Sequence, residues 1–341
     1  MTLAVPDHEA RAVAKRPRLG FLGVGWIGLD RMKAILGAGA AEVAAICDPS
    51  PEMAARAAEL APGAALAADL DALLDQDLDG VVIASPSSLH AGQSIRALER
   101  GAAVFCQKPL GRTAGEVRAV VDAARAADRL LAVDLSYRFT HGMRRIRELA
   151  QAGELGRVFA VDLVFHNAYG PDKPWFYDPA QSGGGCVMDL GVHLVDLALW
   201  SLDFPAATDV SARLFASGER LAGRPDRVED FAEATVELDC GTTVRLACSW
   251  RLNAGQDAVI SAAFYGTEGG AALRNVDGSF YDFVTERYRG TACEAVHPLE
   301  NDWGGKAAAD WSRRLAAGEG FSPEIERMSD VAEILDRIYG R

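Results

Sequence analysis

The chain's candidates for chemistry are a lysine, two aspartates and a histidine set in apolar surroundings. Gln107-Lys108-Pro109 follows the apolar run Ala103-Val-Phe-Cys106, which places an ammonium group at the end of a strand and pins it with a proline. A surface lysine is ordinarily just solvated, but ligands of parallel sheets bind at that edge. The second cluster reads Gly183-Gly-Gly-Cys-Val-Met-Asp189-Leu-Gly191-Val-His193-Leu-Val-Asp196. Its glycines read as a loop, and 187–202 reads as a helix with apolar residues at helical spacing. Asp189 and His193 are four apart, which on a regular helix puts a carboxylate one turn below an imidazole. Such a carboxylate fixes the ring's tautomer and raises its basicity, as a general acid/base requires. Asp196, three residues on, extends the same face. A core histidine satisfied by a neighbouring aspartate fits the spacing equally well. A metal site lacks enough neighbouring ligand candidates, so none is expected.

The elements that must position these groups alternate regularly from Arg18. Apolar runs begin at Leu19, Val43, Val81, Ala103 and Leu130, and helical stretches follow the first four: a segment through Leu36, one from Pro51 to Leu60, one around Ser94 to Arg100, and one from Thr113 to Ala127. Continuous apolar strands between amphipathic helices imply a parallel sheet covered on both faces, wound as a Rossmann fold. Gly23-Val-Gly25-Trp26-Ile27-Gly28 sits at the first strand-to-helix turn. Gly23 permits the tight turn, Gly25 admits a pyrophosphate to the backbone, and Gly28 lets the helix lie close to the strand. The helix N-terminus then offers free N–H groups to phosphate. Asp48 follows Gly28 by 20 residues, at the end of the second strand. A carboxylate there accepts hydrogen bonds from an adenosine ribose and repels a 2′-phosphate, and no arginine follows it, so NAD is expected over NADP.

Bulk properties narrow the classes. A chain of 341 residues suits two domains, and 49% hydrophobic with 24% charged residues is the composition of a globular protein. Lys+Arg 35 against Asp+Glu 48 leaves a net charge of -13, which argues against a nucleic-acid partner. The cysteines Cys47, Cys106, Cys186, Cys240, Cys248 and Cys293 show no CxxC pair and no zinc spacing, so they read as reduced, mostly buried thiols of a cytoplasmic protein. Residues 1–16 read as a flexible extension without a secretory signal, and no stretch is apolar enough to span a bilayer.

Taken together, the motifs resemble the Gfo/Idh/MocA family of glucose–fructose oxidoreductase and inositol dehydrogenase relatives. They are the Gly23–Gly25–Gly28 turn, Ser85-Pro86-Ser-Ser88-Leu-His90, Gln107-Lys108-Pro109, Tyr137-Arg138-Phe139, Gly153-Glu-Leu-Gly156, the Gly183–Asp196 cluster and Tyr265-Gly-Thr-Glu-Gly269. The resemblance covers Leu19 to about Tyr339. It implies a Rossmann domain at 17–137 and a substrate-binding and oligomerising α+β domain at 138–341. That second domain is built on a large, mainly antiparallel open sheet, with the C-terminal helices free to pack back on the first. Strand-like runs at 158–166, 209–215, 232–238, 243–250 and 259–265 agree with it.

The resemblance further implies a homodimer or homotetramer through that sheet, a polyol or sugar-like substrate, and hydride transfer between nicotinamide and a secondary alcohol or ketone. Lys108, Asp189 and His193 match the catalytic positions, with the choice of principal base between Lys108 and His193 left open. Gly23, Gly25, Trp26, Ile27, Gly28, Asp48, Ser85, Pro86, Ser88, His90, Gln107 and Lys108 match cofactor-binding positions. Tyr137, Arg138, Trp175 and Tyr177 are candidates for contact with the substrate. The chain departs from the family at Gln107, where Glu is usual, and that removes a negative charge beside Lys108. Two other readings stay open: a glycoside hydrolase that uses NAD without net redox, and a non-catalytic dinucleotide sensor.

Overall fold

The computed structural model describes residues 16–222 and 227–341; residues 1–15, on which the reading of an N-terminal extension falls, lie outside the described residues. The first half runs β1 (Arg18–Leu22), α1 (Trp26–Ala38), β2 (Glu42–Cys47), α2 (Pro51–Leu60), β3 (Ala65–Leu66), α3 (Leu70–Leu74), β4 (Gly80–Ile83), α4 (Ser87–Glu99), β5 (Ala103–Cys106), α5 (Ala114–Ala127) and β6 (Leu131–Val133). The strands pair in parallel in the order β3-β2-β1-β4-β5-β6. The order reverses between β1 and β4, and the crevice above that point is where a Rossmann sheet binds its ligand. Local chemistry sets the helix starts. The Ser50 hydroxyl accepts from the Met53 amide with Pro51 at the first helical position, and Thr113 accepts likewise from Glu116. The helix expected from Ser94 begins seven residues earlier, at Ser87, because Pro86 caps it in extended conformation.

The second half runs α6 (His141–Gln151), β7 (Val158–Asn167), α7 (Pro179–Ser182), a π-helical turn (Val187–Gly191), α8 (Val192–Ser201), β8 (Ala207–Ala216), β9 (Glu219–Leu221), β10 (Phe231–Leu238), β11 (Thr243–Ser249), β12 (Ala258–Gly266), β13 (Gly270–Asn275), β14 (Phe283–Arg289), β15 (Ala292–Glu300), α9 (Lys306–Ala316) and α10 (Met328–Ile338). Among the described residues its sheet has nine strands, ordered β15-β14-β13-β12-β7-β11-β10-β8-β9. The β7–β11 pair is parallel and the other pairs are antiparallel.

One face of this sheet is covered by helices. Helix α8 is buried along its whole length, as an all-round apolar helix must be. The opposite face carries paired charges, Arg245 with Asp162 and Arg213 with Glu233. Strands β13 to β15 were not foreseen. β14, for example, is mostly polar in sequence and offers no continuous apolar run.

The C-terminal helices return to the first sheet. Trp311 of α9 is buried with its ring 5.7 Å from Phe105 of β5, and the space beside Gly80 is filled by the same indole. No helix among the described residues is long and apolar enough to cross a membrane. Cys47, Cys106, Cys186 and Cys248 are buried and Cys240 and Cys293 exposed, all as free thiols.

Candidate active site

The glycine turn is shaped for a ligand's backbone approach. Gly23 has φ +85, and a Cβ on it would lie 2.6 Å from the Ala84 carbonyl oxygen. A Cβ on Gly28 would lie 2.2 Å from the Gly23 carbonyl oxygen, so α1 rests directly on the turn. Gly25 meets nothing within 4 Å, and this open space is where a pyrophosphate fits over the start of α1. Asp48 clasps the same turn: its Oδ2 accepts from the Val24 amide at 2.7 Å and its Oδ1 from the Ser50 amide at 2.8 Å. These features fit a dinucleotide.

In front of the turn opens a cleft of about 430 Å³ between the strand ends of the first sheet and the 171–193 segment. Of the residues singled out from sequence, Gly25, Trp26, Ile27, Ser85, Pro86, His90, Gln107, Lys108, Trp175, Asp189 and His193 line it. Lys108 lies two residues beyond β5 and is joined to Pro109 by a cis bond. Its Nζ donates to Asp189 Oδ1 at 2.5 Å and to the Asp189 carbonyl at 2.9 Å. The other Asp189 oxygen accepts from Trp250 Nε1 at 3.0 Å. His193 lies 7% exposed, and its Nδ1 is buried without a hydrogen-bond partner among the described residues. Burial, then the charges of Lys108 and Arg31, hold its pKa well below the usual histidine value, so at neutral pH it is an uncharged imidazole able to take a proton.

The expected support of His193 by Asp189 is therefore corrected. Residues 187–191 wind as a π-helix, whose wider turn breaks the four-residue stacking of an α-helix, and Asp189 faces Lys108 and Trp250 instead. Asp196 does not line the cleft. It holds Arg138 in a two-point ion pair, Nη2 to Oδ1 at 2.5 Å and Nε to Oδ2 at 2.9 Å. Arg138 lines a separate cavity of about 400 Å³ and not the cleft.

Tyr137 is 7% exposed and supports His193 edge-on at 5.0 Å while stacking on Trp303 at 4.7 Å. Tyr177 donates to the Pro171 carbonyl, leaving Phe176 beside Trp175 to line the cleft. Ser87 lines it in place of Ser88, because α4 starts at that residue.

The Gly183–Gly185 run has a structural cause. A Cβ on Gly184 would lie 2.0 Å from the Tyr339 hydroxyl, and one on Gly185 would lie 1.9 Å from the Glu229 carbonyl oxygen. The wholly buried Glu229 carboxylate accepts from the Gly185 and Val187 amides and, at 2.7 Å, from the Tyr339 hydroxyl. Burial pushes this carboxyl up from its ordinary value, and those donors oppose the shift. Glu229, Tyr339 and Trp250 thus hold the 183–193 segment, and no motif announced them. Neither did the sequence show that His141, Glu300 and Asp302 come together; Lys306 Nζ is 2.9 Å from Asp302 there and supplies positive charge.

A Rossmann crevice with an open glycine turn, a lysine at a strand end and a neutral buried histidine define a nicotinamide-dependent oxidoreductase. Residues 17–135 match the oxidoreductase family with an NAD-binding Rossmann fold, and residues 143–272 match the GFO/IDH/MocA C-terminal domain. The chain is 30% identical over 243 residues to D-glucoside 3-dehydrogenase of Escherichia coli (strain K12), covering 68% of this chain and 69% of that one. It is 28% identical over 318 residues to inositol 2-dehydrogenase 4 of Saccharopolyspora erythraea, covering 92% and 85%. The fold is that of levoglucosan dehydrogenase in complex with NADH and levoglucosan, at TM-score 0.81 and 22% identity over 96% of this chain and 97% of that one. The chain belongs to the GFO/IDH/MocA family.

Proposed function

We propose that the protein oxidises a secondary hydroxyl of a sugar, cyclitol or sugar derivative, or reduces the matching ketone, with NAD as cofactor. The carrying observation is Lys108 Nζ, held by Asp189 beside the uncharged imidazole of His193 at the strand edge of the cleft. NAD supplies the hydride acceptor at nicotinamide C4. In the oxidation direction His193 takes the hydroxyl proton, and the Lys108 ammonium stabilises the alkoxide as it forms. Asp189 holds that ammonium in place. In the reverse direction the same groups return the proton. Trp175 and Phe176 offer rings to the C–H faces of a sugar. Asp48 favours NAD over NADP, since its carboxylate would face a 2′-phosphate.

The names of the relatives support this substrate class, among them D-glucoside 3-dehydrogenase and inositol 2-dehydrogenase 4. We read 17–137 as the cofactor domain and 138–341 as the substrate and assembly domain of a cytoplasmic homo-oligomer. The charged open face of the second sheet is its contact surface, and the elution volume of the purified protein tests that.

The deciding experiment is NADH formation on a panel of cyclitols, aldoses and amino sugars. Turnover is expected with NAD, and Lys108→Ala or His193→Ala should lower it by about 10²- to 10⁴-fold while NAD binding persists. Product without net NADH would instead mark a hydrolase, and NAD binding without turnover in either direction a sensor. Unchanged turnover in both variants would sink the assignment of these residues.

A further inference from the structure

Beneath Lys108 the cleft wall holds a buried polar triad. Asp134 follows β6 and is 1% exposed, and Arg31 of α1 is 7% exposed. Arg31 Nε donates to Asp134 Oδ2 at 2.5 Å, and Gln107 Nε2 donates to the same oxygen. The second oxygen, Oδ1, is buried and has no hydrogen-bond partner among the described residues. All three residues line the cleft. A buried carboxylate oxygen left without a donor is costly, so a donor from outside the chain is the natural partner.

The sheet order says where that donor comes from. The glycine turn and Asp48 lie on β1 and β2, the side that receives the pyrophosphate and the adenosine ribose. Asp134 and Gln107 end β6 and β5, on the other side of the reversal in strand order, where a dinucleotide lays its second half. We infer that Asp134 Oδ1 accepts a hydrogen bond from the nicotinamide nucleoside of NAD, from its carboxamide N–H or a ribose O–H, with Arg31 and Gln107 holding the carboxylate in place. The inference rests on the dinucleotide reading above.

It also accounts for the amide at position 107. A glutamate there would set a second carboxylate against Asp134 Oδ2, whereas Gln107 donates to it. The negative charge that the family carries before the Lys-Pro pair is, in this chain, carried by the neighbouring strand.

Calorimetric titration of the wild-type protein and Asp134→Asn with NAD and with ADP tests this. ADP reports the half of the site that Asp134 does not touch. The variant should bind NAD about ten- to a hundredfold more weakly and ADP within about twofold of wild type. Equal weakening of both ligands, or of neither, overturns the inference. If the variant does not fold, the ligand is altered instead. Wild-type protein should bind either the acetylpyridine analogue of NAD, which lacks the carboxamide N–H, or an analogue lacking the nicotinamide-side ribose hydroxyls about tenfold more weakly than NAD. The weakened analogue identifies the donor, and equal affinity for both analogues and NAD overturns the inference. Wild-type protein that binds no NAD at all would overturn the dinucleotide reading itself, a distinct failure.

Discussion

Two glycine-rich loops border the cleft, and the glycines that line it, Gly25 in the first and Gly184 and Gly185 in the second, are there for opposite reasons. At the first, Gly25 borders open space, with nothing within 4 Å of where a Cβ would stand. At the second, the room beside Gly184 and Gly185 is already taken by Tyr339 and Glu229 of the protein itself. The first loop leaves space for a ligand. The second lets elements distant in sequence close onto the segment that carries Asp189 and His193. Glycine content alone does not distinguish a binding loop from a packing loop; the neighbours do.

Substitution breaks or sharpens this contrast. The largest effect is expected at the packed loop. Gly185→Ala drives a methyl group into the Glu229 backbone, which no rotamer relieves, and should cost about 4 kcal/mol or more of stability by urea denaturation. A loss below about 1 kcal/mol would mean that this loop is not tightly packed. Next comes Gly25→Ala, at a φ of -60 that alanine adopts readily. Its stability should stay within about 0.5 kcal/mol of wild type while NAD affinity falls about tenfold. Equal damage to folding at both loops would erase the distinction.

The smallest effect concerns the histidine on each side. His90 packs beneath the open loop between the Pro109 and Ser85 carbonyls, and His193 sits beside the packed one. Burial lowers the pKa of both. The unfolded chain therefore takes up protons near pH 6.5 that the folded protein refuses, and stability falls as pH drops below that value. From pH 7.5 to 5.5 His193 should contribute a loss of about 1 kcal/mol, and His193→Leu should flatten the slope by that share. A slope that His193→Leu leaves unchanged would show that His193 is not buried in its neutral form.

Much of the cofactor side was legible because it is local. The first two apolar runs, the Gly23–Gly28 spacing and Asp48 lie within one strand-helix-strand unit, so their order in sequence fixes their order in space. The substrate side was legible only in its residue types. That Lys108, Asp189 and His193 share one cleft could be read from the resemblance, but their pairing could not. A π-helical turn redirected Asp189, and Asp196 went to Arg138.

Asp134, Arg31, Glu229, Trp250 and Tyr339 carry no pattern in the sequence. Their roles come from contacts between residues far apart in sequence, 110 residues for the hydroxyl of Tyr339 on Glu229. Sequence alone determined the parallel sheet, the ligand-ready turn and the types of side chain offered for catalysis. Tertiary structure decided which carboxylate meets which cation, because burial makes each such group find a partner and only the packed chain says which partners are in reach.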